Sequence, residues 1–141
     1  MTAPQTIVPS AKTVRLIYGA MVAGVVSFAL VGHFLLRPAM ANSGELPAVV
    51  IRVLLGVSLG AGALSLLLRR RVPRRASNES ADTFWMAGGT PALLTWAALE
   101  ASSLIAVFVY ARTGSVSAIA IAAAAGLLFV LLNPAHLERR A

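Results

Sequence analysis

The sequence predicts an all-α integral membrane protein with four transmembrane helices arranged as two helical hairpins. Three observations carry this expectation. Hydrophobic residues make up 58% of the 141 residues and charged residues only 12%, whereas about a quarter of an ordinary soluble domain is charged. A globule of this size has too little interior to hide that much apolar surface, and a bilayer accepts it. Four apolar runs, 16–36, 48–68, 91–111 and 116–132, are each near the length of about 20 residues that a spanning helix needs. Finally, the basic residues crowd at the ends of these runs.

Each run has its own punctuation. Arg37-Pro38 ends the first, and Pro47 stands where the second helix can begin, a position at which proline costs no hydrogen bond. Thr90-Pro91 reads as a cap followed by the first helical residue of the third. Gly114-Ser115 leaves room for only a tight turn before the fourth, and Asn133-Pro134 closes it. The hairpins are then 16–68 and 91–132, within a single membrane domain covering 1–141. A basic linker, 69–89, joins them, and its stretch 76–82 reads as polar and mobile or docked on a partner.

Charge sets the orientation. Lys12, Arg15, Arg69, Arg70, Arg71, Arg74, Arg75, Arg139 and Arg140 fall on one side, and Arg37, Arg52 and Arg112 on the other. By the positive-inside rule this nine-to-three bias places the first side, with both termini, in the cytoplasm. Trp85 and Tyr18 then fit the inner interface and Tyr110 the outer one. Of the basic residues only Lys12 is not arginine, and alanine is abundant, as in proteins of GC-rich bacterial genomes. The expected location is the bacterial inner membrane, in contact with the bilayer and its anionic lipids. The net charge of +7 is absorbed by topology, so no nucleic-acid partner is expected.

A faint internal repeat accompanies the hairpins. An offset of 77 lays Ala23-Gly24 over Glu100-Ala101, Ala29 over Ala106 and His33 over Tyr110. It would be a parallel repeat, since both halves start on the same side. Two unrelated hairpins explain the sequence equally well.

Few residues can carry chemistry. Glu100 is the one acid within any apolar run, near its middle, and an ionisable group at that depth marks a functional site by default. Ser103 lies one turn on, with Ser102 beside it. These three are the candidate ion-binding or partner-contact residues, and the structural alternative is interhelical hydrogen bonding. His33, near the outer end of the first run, is a candidate tetrapyrrole ligand or an interfacial polar residue, and Arg52 reaches a similar depth by snorkelling. His136 is on the opposite side, so the two histidines cannot clamp one haem within the chain. Gly19, Ala23 and Ser27 form one small-residue stripe, and Gly56 and Gly60 another. Such stripes allow close helix approach, which predicts tight packing of the first two helices or, alternatively, a dimer face. The run Arg69, Arg70, Arg71, Arg74 and Arg75 is placed to hold anionic lipid headgroups or to act as a stop-transfer anchor.

A buried glutamate beside the glycine spacing Gly56–Gly62 resembles the proteolipid c subunits of rotary ATPases. In that family the acid lies on the second helix of its hairpin and Glu100 lies on the first, so no function is carried over. The four-helix multidrug transporters also use one buried glutamate, but on their first helix.

The absence of cysteine excludes disulfides, thiolate metal sites and thiol nucleophiles. No phosphate-binding glycine loop, HExxH or Gly-x-Ser-x-Gly motif is present, nor any metal-ligand cluster. No enzymatic activity, metal or obligatory cofactor is therefore expected. The leading expectation is a non-catalytic accessory or structural subunit of a larger bacterial membrane complex, of the respiratory or photosynthetic kind, contacting other membrane subunits. A small proton- or cation-coupled transporter centred on Glu100 is the alternative, and tetrapyrrole binding through His33 a third.

Overall fold

A computed structural model describes residues 10–40 and 44–139, which are helical throughout apart from short connections. Three helices are long and apolar enough to cross a membrane: α1 (Ala11–Met40), α2 (Ala48–Arg69) and α3 (Ala81–Thr113). The fourth apolar run forms a shorter helix, α4 (Val116–Leu131), and α5 (Pro134–Glu138) is a single turn after it.

Both α1 and α3 begin earlier than their apolar runs. The reason is a cap that hydrophobicity does not register. Ser10 and Ser80 each precede a helix in the pattern Ser-Ala-x-Thr, and each hydroxyl accepts the N–H of the threonine three residues on, at 3.3 Å and 3.1 Å. Thr90-Pro91 is thus not a helix start. Pro91 lies inside α3, where it forgoes one backbone hydrogen bond. The linker shrinks to 70–80 and folds into hydrogen-bonded turns. The Arg75 guanidinium donates twice to the Glu79 carbonyl, at 3.0 Å and 2.8 Å, while the Ala76 N–H donates to the Glu79 carboxylate at 3.2 Å. At 33 residues, α3 rises about 50 Å, so its first turns project well past an apolar slab of about 30 Å.

The first helix also continues past Arg37-Pro38, to Met40, through a π-helical turn at Gly32–Leu36. Such a turn inserts one residue and re-aims the side chains that follow. Gly32 is buried here because α1 presses on α3, and a β-carbon at Gly32 would stand 2.8 Å from Val107 Cγ1.

The helices are organised around α3. Helix α4 folds back along it after Gly114, whose φ of 66° is the left-handed conformation that glycine adopts without strain. Helix α2 runs antiparallel to α3: its entry loop meets the end of α3 where Arg112 donates to the Gly44 carbonyl at 2.9 Å, and the linker after it meets the start of α3 where Pro73 touches Gly88. Helix α1 runs parallel to α3, with contacts advancing together from Ala11 against Asp82 to Gly24 against Glu100 and His33 against Tyr110.

This arrangement corrects the expected packing of the first two helices. Helices α1 and α2 share no substantial interface; each is laid separately against α3. Gly19, Ala23 and Ser27 are exposed, and a β-carbon at Gly19, Gly56 or Gly60 would meet nothing within 4 Å. The close approach of α2 uses Ser58, Gly62 and Ser65 instead, two residues out of step with Gly56 and Gly60 and hence about 200° around the helix. The Ser58 hydroxyl donates to the Ser102 carbonyl at 2.7 Å. The two halves are thus not packed alike: α3 and α4 form a hairpin and α1 and α2 do not, although residues at the 77 offset, His33 and Tyr110, do touch.

The tight contact at Gly32 yields a prediction. Gly32→Ala should destabilise the purified protein by about 1–3 kcal/mol through overpacking, read as a lower thermal midpoint in detergent. Adding Val107→Ala should recover most of that loss, which would not happen if the alanine acted only on the π-helical turn.

Candidate functional site

Glu100 sits near the middle of α3 and is half-buried. Its carboxyl faces α1 at Gly24, where the missing side chain leaves room: an added β-carbon would stand 3.6 Å from Glu100 Oε1. Among the described residues none donates a hydrogen bond to this carboxyl. Among the described residues Glu100 thus makes no interhelical hydrogen bond.

The two serines do not join it. Ser102 is buried and lies about 200° around α3 from Glu100, on the face held by α2, with Ser58 Oγ 3.4 Å from its own Oγ. Ser103 is also buried, and its hydroxyl donates back to the Leu99 carbonyl at 2.9 Å, which satisfies it within its own helix. Ser102 thus faces α2, while Ser103 shares the α1-facing side with Glu100 but spends its hydroxyl within its own helix.

His33 belongs to a polar group at the far end of α1. Its Nδ1 lies 3.0 Å from the Tyr110 hydroxyl, which also accepts from Arg37 Nη1 at 2.9 Å. The Arg37 guanidinium carbon stands 5.2 Å from the centre of the Tyr110 ring, within cation–π range. Two proton arrangements satisfy this group: the phenol donates to Nδ1, or the Nδ1–H donates to the phenol. Only the second leaves a lone pair on Nε2 for a metal. Beside the group is a cleft of about 320 Å³ between α1, α3 and α4, lined by Val25, Ala29, Ser103 and Ile119 among others. Arg52 is exposed on α2 and takes no part in it. His136 is at the opposite end of the molecule, 3.1 Å from Asn133 Nδ2. Among the described residues no three His, Asp or Glu side chains converge as a metal site.

The end that carries most of the basic residues is the better packed. Tyr18, Trp85, Trp96 and Phe129 stack edge to face or tilted, with centroids 5.0–6.2 Å apart. Their polar atoms are all used. The Tyr18 hydroxyl donates to the Phe129 carbonyl at 2.7 Å and Trp96 Nε1 to the Leu132 carbonyl at 2.9 Å, two carbonyls the end of α4 leaves free. Trp85 Nε1 donates to Glu138 Oε1 at 2.8 Å, and Arg15 Nε donates to the same oxygen at 3.1 Å. Asp82 accepts the N–H of Ala11 at 2.7 Å, placing one carboxylate at the positive ends of both α1 and α3. This carboxylate pair was invisible in the sequence, because Asp82 and Glu138 are far from their partners along the chain. Around them Arg69, Arg70 and Arg74 border a recess of about 300 Å³ with Leu137. Arg71 is exposed, whereas Arg75 is half-buried in the linker. Arg140 lies outside the described residues.

The chain matches no protein-family model, no curated protein and no solved structure.

Burial pushes the Glu138 carboxyl up, but the hydrogen bonds from Arg15 and Trp85 and the charges of Arg15 and Arg75 outweigh it and hold the group below its ordinary value of 4.5. A lowered carboxyl stabilises the fold above that ordinary value and loses its contribution as pH falls through the lowered one. The Arg15 side chain is 55% exposed, so the ion pair itself is worth no more than about 1 kcal/mol. Wild-type protein should lose more thermal stability than Glu138→Gln between pH 7 and pH 3, and equal losses would show that Glu138 does not contribute through its charge.

Proposed function

We propose that the chain is a four-span protein of a bacterial inner membrane, with both termini cytoplasmic, acting as a non-catalytic subunit that packs against the helices of a partner. The apolar composition, the charge bias and three helices of spanning length support the membrane placement. Helix α4 supplies the fourth span: its 16 residues rise about 24 Å, and Leu132 with the turns at either end extends it toward a slab of about 30 Å.

The observation that carries the partner reading is the isolation of Glu100. A carboxylate near the centre of a spanning helix costs about 2.5–3.5 kcal/mol on insertion scales. Here no group of the described chain offsets that cost, and the neighbouring helix presents a glycine. A donor from another subunit would offset it, and Gly24 leaves the approach open. The exposed faces of Gly56 and Gly60 on α2 and of Gly19, Ala23 and Ser27 on α1 would let partner helices come close.

The test is recovery of the full chain from its native membrane in mild detergent. Stoichiometric membrane partners are expected. Glu100→Gln should keep them, since an amide still accepts a hydrogen bond, whereas Glu100→Leu should release them while remaining membrane-integrated. Recovery of the wild type as a free monomer would overturn this reading. Proton or cation flux in proteoliposomes that vanishes in Glu100→Gln would move the role of the acid to transport.

A further inference from the structure

Helices α2 and α4 flank α3 but scarcely touch each other, and between them runs a groove. It consists of two adjacent cavities of about 430 Å³ and 440 Å³, both bordered by Leu66 and Leu128. The part away from the basic end is floored by Ser102 and walled by small and aliphatic residues, among them Leu59, Gly62 and Ala63 on α2 and Ala120, Ile121 and Ala124 on α4. The other part opens at the basic end of the molecule between Arg69, His136 and Arg139. From Ala120 to Leu132 the groove extends about 18 Å at the helical rise. One leaflet of a bilayer is about 15 Å deep in hydrocarbon.

We propose that this groove is a resident site for an anionic phospholipid of the cytoplasmic leaflet, one acyl chain lying between α2 and α4 and the phosphate held by Arg69, His136 and Arg139. The shape and the charge point the same way. An apolar groove about one leaflet long matches the length of a single acyl chain. The cationic end sits where the headgroup of that chain must be, and a phosphodiester is an acceptor for all three side chains. A zwitterionic headgroup would bring its own cation to the same place. The site shares Arg69 with the recess bordered by Arg70 and Arg74 and differs from it in adding an apolar slot to the charge. It rests on the membrane placement proposed above and is independent of any protein partner.

The experiment uses the full chain in nanodiscs of equal phosphatidylglycerol and phosphatidylcholine, followed by native mass spectrometry of the retained lipid. Wild type should keep phosphatidylglycerol in preference, and excess inorganic phosphate should not displace it. Arg69→Gln and Arg139→Gln should each cut the preference about fivefold. Ala120→Leu/Ala124→Leu fills the slot from the lipid-facing side and should abolish retention with helicity unchanged. Equal retention of both lipids by wild type, retention of phosphatidylglycerol by the filled variant, or a protein segment found in the groove would overturn the site. Carbonate extraction of the same samples separates this from the membrane reading: a wild-type chain that is extracted fails the placement, and one that stays but shows no preference fails the lipid site alone.

Discussion

A helix that must contact three others along its length needs a surface that neighbours can approach without stranding polar atoms, and α3 meets that constraint with small and self-satisfied side chains. Thr95, Ser103 and Thr113 each turn their hydroxyl back onto a carbonyl four residues earlier, at 2.8–2.9 Å. Ser102 presents its own carbonyl to Ser58, and Trp96 sends its ring N–H to the end of α4. Half of the most apolar stretch of α3 is buried inside the molecule, against 6% for α1 and 11% for α2. The other long helices are attached to α3 far more than to one another. In a bilayer there is no hydrophobic drive to gather helices, and close contact with a few hydrogen bonds must do it, so the helix able to offer both becomes the centre.

The two ends of the bundle are held differently. At the basic end, aromatic rings, the Glu138 carboxylate and the unpaired carbonyls of α4 interlock α1, α3, α4 and α5. Burial of Phe84, Trp85 and Trp96 removes large apolar surfaces from solvent there, which covers the first turns of a helix longer than an apolar slab requires. At the other end a single tyrosine is shared by His33 and Arg37, and Gly114 tucks beneath the same guanidinium, with Arg37 Nη2 3.2 Å from where its β-carbon would be. This end makes a light polar latch rather than a core.

Apolar run length made the helices legible in the sequence, and basic residues at their ends made the relative direction of each legible too. The beginnings of α1 and α3 were not, because Ser10 and Ser80 act through local hydrogen bonds to the threonine three residues on, and hydropathy reports only the part of a helix that lipid would cover. Pro91 misled for a related reason: inside a long helix held by neighbours its missing N–H is a local loss. The glycine spacing of α2 drew attention to Gly56 and Gly60, yet the buried stripe is Ser58, Gly62 and Ser65, whose i, i+4, i+7 spacing was present but is equally common on lipid-facing surfaces. Glu100 stood out because a charge in an apolar run is rare. Its surroundings did not, because helix geometry turns Ser102 to the opposite side and Ser103, one turn on along the same face, spends its hydroxyl on the Leu99 carbonyl.

The parallel pairing of α1 with α3 bears most directly on Glu100. Parallel neighbours have no short loop to join them, and here each end supplies its own attachment: Ala11 to Asp82 and Arg15 to Glu138 at one, Gly32 against Val107 and the His33–Tyr110–Arg37 group at the other. Between these attachments α1 offers Gly24, with no side chain, and Val25 and Ala29, which border an unfilled cleft. The helix is thus fastened at both ends and loosely packed in its middle, and the acid lies against that middle. A carboxyl placed there is screened from bulk water by two helices yet remains open on its lipid-facing side. Under the proposed membrane placement, a group that met Glu100 would come from within the bilayer, at the depth where a hydrogen-bond donor has the fewest competing partners.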